Sequence, residues 1–218
     1  MKTGGKNNMA RQEPGKPKLE AVVESPERRI STWVPLPALP EYPEMIRLSS
    51  STSADEVAAV VAQLTVYGGT DKTPLTMEQL VNEPVRILPG GLQAVSGETV
   101  IAPSCCCGLE TWREWIDLLK GGGSPWLGHD PAPWVEKLKG SFVVHSDGGL
   151  GEDGGPVTGV VTQISFSRSE LEAALELVQT DLAGFLMRLE DWARGHKPDF
   201  TRAFVSAFDR WFQITSGR

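Results

Sequence analysis

The sequence predicts an α+β protein: a small, mainly antiparallel sheet of about five strands, covered by helices, with a helical pair at the C-terminus. Three observations carry this. Short β-branched runs alternate with glycine-rich pairs between residues 85 and 102, and two more apolar runs lie at 141–145 and 159–166. Beyond residue 167, apolar residues recur at steps of three and four. Near the end, Phe200, Phe204, Phe208 and Phe212 are spaced four apart, the interval that keeps side chains on one helix face.

The elements follow in order. Residues 1–30 read as a disordered basic arm ahead of a single globular domain, 31–218. Between residues 1 and 19, Lys2, Lys6, Arg11, Lys16 and Lys18 stand against Glu13, a local charge of +4 with few apolar residues. Such a segment buries too little surface to offset the entropy of ordering. No apolar stretch follows its basic residues, so it does not read as a secretory signal. Residues 31–48 form an extended lead-in, because Pro35, Pro37, Pro40 and Pro43 remove backbone donors. Pro37-Ala-Leu-Pro40 fits the PxxP pattern, but an extended segment laid on the domain is the reading preferred.

Ser53 or Asp55 caps a helix through about residue 64, with Val57, Val60, Val61 and Leu64 on its apolar face. Thr76 caps a short second helix carrying Leu80 and Val81, which Pro84 stops. Strands are expected at 85–88, 92–95 and 98–102, as a meander. Residues 141–145 and 159–166 are expected to pair as a hairpin with a long loop. Ser167 and Glu170 make a capping box, and the helix it opens is expected to close at Gly195. The last helix begins near Asp199.

The region 103–134 concentrates chemistry. It holds all three cysteines, four of the seven tryptophans and one of the three histidines. Its segments are Cys105-Cys106-Cys107-Gly108-Leu109-Glu110, Trp112-Arg113-Glu114-Trp115 and Trp126-Leu127-Gly128-His129-Asp130-Pro131. A metal site would draw on Cys105, Cys107, His129 and His145, since thiolate and imidazole are good zinc ligands. Against it, adjacent side chains are expected to diverge and no C-x-x-C pair exists. Nucleophilic catalysis would use Cys106 or Cys107, with a thiol pKa depressed at the start of a helix over 109–119, His129 as base and Asp130 as its orienter. Structural use comes first: cysteines packed as small hydrophobes beneath indole rings, Asp130 capping a helical turn begun by Pro131.

These three segments together resemble an uncharacterised family of bacterial cytoplasmic proteins, over roughly residues 85–193. No established activity attaches to that family, so the resemblance implies no catalytic residue. Small acidic proteins of this kind resemble partners encoded beside bacterial toxins.

Residues 146–159 form an acidic glycine-rich loop. Gly148-Gly149-Leu150-Gly151-Glu152-Asp153 matches one repeat of the calcium β-roll, which works only by stacking, so a single copy reads as a hairpin loop. The loop lacks the Gly-Lys-Ser/Thr ending of a phosphate loop.

Charge narrows the function. The chain of 218 residues carries 21 Lys+Arg and 28 Asp+Glu, a net −7, so the part beyond residue 19 carries −11. That balance disfavours nucleic acid, whose phosphates need neutralising. No apolar run reaches the length of a membrane span. Consecutive free thiols fit a reducing compartment, the cytoplasm.

The leading expectation is a non-enzymatic, immunity-type protein that binds and neutralises a basic toxin domain. Asp147, Glu152, Asp153, Glu170, Glu172 and Glu176 are its candidate contacts, and no cofactor is expected. One alternative is a thiol- or metal-dependent enzyme centred on Cys105–Cys107 and His129. The other is a structural or regulatory module that docks through residues 1–48.

Overall fold

The structure, a computed structural model, describes residues 15–26, 32–36, 43–67, 73–148 and 161–215. Its fold is α+β: two antiparallel sheets and five α-helices, ending in a helical pair.

The first sheet comprises β1 (Lys18–Glu24), β2 (Met45–Arg47), β3 (Gly90–Ser96) and β4 (Thr99–Ile101), in the order β2-β1-β3-β4. β1 corrects the expectation of a disordered arm across residues 1–30. Leu19 through Val23 are all buried, and the strand is paired on both edges. The basic composition averaged over residues 1–19 hid an apolar run that starts only at its end, and a strand needs few residues. The same finding removes β1 and β2 from any docking role for residues 1–48, since both are consumed inside the sheet. Residues 1–14 lie outside the described residues.

Val23 opposes Gly90 and Ala21 opposes Leu92 across the β1–β3 ladder. Gly90 is required here: its φ is +142°, and a Cβ would sit 2.2 Å from the Val22 carbonyl oxygen and 2.6 Å from the Val23 Cα. β2 grows from the proline-rich lead-in, whose extended character holds at Met45–Arg47. Residues 37–42, including the PxxP motif, are outside the described set. Trp33 lies against the domain, donating its Nε1–H to the Leu75 carbonyl at 2.8 Å.

The expected strand at 85–88 does not form. Val85 and Ile87 face outward and Arg86 is buried. Its guanidinium donates to the carbonyls of Leu64 and Tyr67, at the C-terminal end of α1 (Ala54–Val66). That helix has no basic residue in its own last turn, and Arg86 supplies the positive charge a helix C-terminus favours. Ser53 caps α1 in a full capping box with Glu56, and Thr76 caps α2 (Met77–Asn82) with Gln79.

The second sheet is β5 (Trp134–Leu138), β6 (Ser141–His145) and β7 (Gln163–Ser167), in that order. The expected single sheet of about five strands is therefore two sheets, of four and three. β5 was not anticipated. It is an edge strand with only Val135 buried, so it lacks alternation, and it joins β6 through the two-residue Lys139-Gly140 turn, where Gly140 takes φ +85°. β6 and β7 pair as expected; residues 149–160 of their loop are not described.

Between the sheets lies a 3₁₀ turn (Leu109–Thr111) followed by α3 (Glu114–Leu119). Ser167 ends β7 and also caps α4 (Arg168–His196), whose capping box with Glu170 is complete. Leu171, Leu175, Val178, Leu182, Phe185, Leu189 and Trp192 line its buried face, which packs against β1. Gly195 is inside this helix and not its terminator; the chain leaves at Lys197, ahead of Pro198. α5 (Thr201–Phe212) lays Phe204, Phe208 and Phe212 onto the core, with Phe208 and Phe185 rings 5.5 Å apart. Trp112 donates its indole N–H to the Phe212 carbonyl at 2.7 Å, tying the middle of the chain to its end. Among the described residues, no helix is long and apolar enough to cross a membrane.

Candidate functional site

Two loops build the site. The first, 103–108, leaves β4; the second, 125–131, leads into β5. Ser104 clasps them: its N–H donates to the Leu127 carbonyl at 2.7 Å, its hydroxyl donates to the Pro131 carbonyl at 2.5 Å, and that hydroxyl accepts from the Asp130 N–H at 3.2 Å. Gly128 permits the approach. Its φ is +101°, and a Cβ would lie 2.4 Å from the Ser104 hydroxyl oxygen.

The first loop turns tightly, with the Cys107 N–H on the Ser104 carbonyl at 3.2 Å. Cys106 occupies the turn position that takes positive φ, at +64°. A residue with a Cβ pays about 1–2 kcal/mol there. The consequence is that the two adjacent side chains converge instead of diverging. Cys105, Cys106 and His129 are all exposed, and their sulfur and ring-nitrogen atoms lie within 4.8 Å of one another. Cys105 Sγ is 3.4 Å from His129 Nδ1 and 3.9 Å from Nε2. His129 Nδ1 donates to the Asp130 carboxylate at 2.9 Å.

Cys107 differs from its two exposed neighbours and fits the structural reading. It is 3% exposed, and its thiol donates to the Trp126 carbonyl at 3.3 Å. Burial pushes its pKa up to about 11, with Glu110 and Glu114 adding to the effect. It is therefore corrected as both nucleophile and metal ligand, and behaves as the packed small hydrophobe. The Cys106 thiol also shifts upward, through desolvation and then the neighbouring Cys105 and Asp130. The expected depression fails because no helix begins at the cysteines: a 3₁₀ turn follows them, and α3 starts only at Glu114.

His145 is likewise corrected as a ligand. It is buried on β6, stacked on Trp134 with centroids 4.5 Å apart, its Nε2 3.1 Å from the Glu136 carboxylate and its Nδ1 accepting from Gln163 at 3.2 Å. All are cross-strand neighbours. Nor does Asp130 cap a helical turn: residues 131–133 are not helical, and its carboxylate serves His129.

Of the expected contact carboxylates, Asp147 accepts from the Ala132 N–H at 3.1 Å. Glu170 is held by the Ser167 N–H and hydroxyl, which lower its pKa. Glu172 pairs with Arg168 at 2.9 Å. Glu176 lines a depression of about 630 Å³ with Gln179, Thr180 and Ile214. Glu152 and Asp153 lie outside the described residues.

Beside the thiol–imidazole cluster runs a groove of about 360 Å³, lined by Glu114, Ser124, Trp126, Pro133, Trp134 and Gly148 among others. Trp126 and Trp134 are 45% and 38% exposed, whereas Trp112 and Trp115 are fully buried. Trp126 is fixed at both ends: its indole donates to the Cys106 carbonyl at 3.0 Å and its backbone N–H to Glu114 at 2.7 Å. Sequence reasoning set indole rings over packed cysteines without separating the four tryptophans. The separating signal is periodicity: Trp112 and Trp115 sit on a helical pattern, while Trp126 and Trp134 each follow a proline in a loop.

The chain offers a clasped pair of loops, an orientated imidazole beside two thiols, and an aromatic groove with carboxylates at its rim. No protein-family model, no curated protein and no solved structure matches it.

Proposed function

We propose that the chain is a non-enzymatic protein-binding protein of immunity type, which neutralises a basic bacterial toxin domain. The observation that carries the reading is the groove: two part-exposed, rigidly held indoles with Glu114, Asp130 and Asp147 nearby, on a chain of net charge −7. Exposed indoles in a groove are what association energy concentrates on, and the carboxylates favour a Lys- or Arg-rich partner in speed and choice of encounter. This adds the 125–134 loop, beside Asp147, to the expected contact surface. The test is co-expression with the toxin-like product of an adjacent gene. Growth is rescued by the wild-type chain, and rescue is lost with Trp126→Ala and Trp134→Ala together. Full growth arrest despite wild-type co-expression would sink the reading.

A second reading is thiol- or metal-dependent chemistry, supported by the imidazole that Asp130 orients beside Cys105.

A further inference from the structure

We infer that Cys105, Cys106 and His129 form a binding site for a soft divalent cation, zinc, with Asp130 as the positioning residue for the imidazole. The inference is independent of the protein-binding reading; it rests on the shape of the two clasped loops.

The first argument is convergence. In a tetrahedral site with Zn–S about 2.3 Å and Zn–N about 2.0–2.1 Å, sulfur–nitrogen edges come to about 3.6 Å and sulfur–sulfur edges to about 3.8 Å. Cys105 Sγ stands 3.9 Å from Nε2, and Cys105, Cys106 and His129 each offer a donor atom within 4.8 Å of the others. Side chains this exposed close the remaining gap by small rotations.

The second argument is the backbone. Adjacent cysteines do not normally share a ligand. Here the positive φ of Cys106 brings them to one side, at a turn position that glycine or asparagine fills at lower cost. The opposing loop, which carries His129, is held at Gly128 and Asp130 against Ser104 of the first loop.

The third argument is the orienting carboxylate. Asp130 accepts from Nδ1–H at 2.9 Å, which leaves the Nε2 lone pair free for a metal. A ligating histidine is commonly held in this way by a carboxylate on its other nitrogen. Two thiolates and one imidazole satisfy a soft cation and leave a fourth position open to solvent or a partner's side chain.

The test uses the full chain, reduced and freed of metal. Cobalt(II) is added as a spectroscopic probe and zinc as competitor. The expected result is one cobalt per chain, with thiolate-to-cobalt charge-transfer and tetrahedral d–d absorption, both removed by zinc. Cys105→Ser, Cys106→Ser and His129→Ala each abolish or shift these bands while the circular dichroism stays native. Asp130→Asn keeps the bands at saturation but weakens affinity about 10–100-fold, the effect of losing an outer-shell orienter. On the unmutated chain, zinc protects two thiols from alkylation, and peptide mapping places them at Cys105 and Cys106. Absence of charge-transfer absorption, or bands that survive all three substitutions, overturns the inference.

Discussion

The three consecutive cysteines differ more from one another than their adjacency suggests. Cys105 and Cys106 are exposed and Cys107 is buried beneath the Trp126 carbonyl. A thiol-titrating reagent at pH 8 should therefore modify two thiols quickly and the third only on unfolding; three equal rates would contradict the structure. Cys107 also links stability to pH. Its folded pKa, about 11, is raised above the ordinary thiol value of 9.0, so folding favours the protonated form. That contribution is fully present below pH 9 and is lost as pH rises toward 11, amounting to roughly 2–3 kcal/mol by linkage. Denaturant midpoints should fall across this window in the wild type and fall less in Cys107→Val. At Gly128, an alanine meets both a positive φ and the Ser104 hydroxyl, and should cost about 1–3 kcal/mol in chemical denaturation. None of these distinctions was legible in the sequence. The string Cys-Cys-Cys-Gly carries residue types but not the φ of Cys106, which decides which thiols converge.

Helices were more legible than strands, for a physical reason. The caps of α1, α2 and α4 are written locally: Ser53, one of two candidates, Thr76, and the Ser167–Glu170 box all form, and the structure adds Glu56 and Gln79 as the partners of the first two. Ser167→Ala should lower stability by about 1 kcal/mol, measured by thermal or denaturant unfolding. Strands depend on partners far along the chain. β1 pairs with residues some seventy positions on, so no local window shows why a run beside a basic tail should be central. Leu19 is 3% exposed, and Leu19→Ala should cost about 2–5 kcal/mol, which a disordered arm would not feel. The segment 85–88 failed oppositely: its β-branched residues face out, and one of its two buried members is the arginine that closes α1, the other being Leu88. β5 was missed because an edge strand with one buried residue has no alternation to read.

Over the whole molecule, fold class was predictable and the candidate site only in part. The region 103–134 was marked by composition, while the convergence of Cys105 and Cys106 on His129 and the exposed faces of Trp126 and Trp134 needed two loops folded together. If a basic partner docks there, its association rate should fall steeply between low and physiological salt, since the attraction between net charges is screened over about 8–10 Å. A salt-independent rate would place the contact elsewhere. The central position of β1 has a consequence for synthesis. A ribosome releases this strand well before the α4 residues that cover it, which begin at Arg168. At bacterial rates of about 5–20 residues per second, the interval is on the order of ten seconds. For that time the nascent chain presents an apolar strand that has its sheet partners but lacks the helix that covers it, an invitation to holding chaperones until α4 emerges.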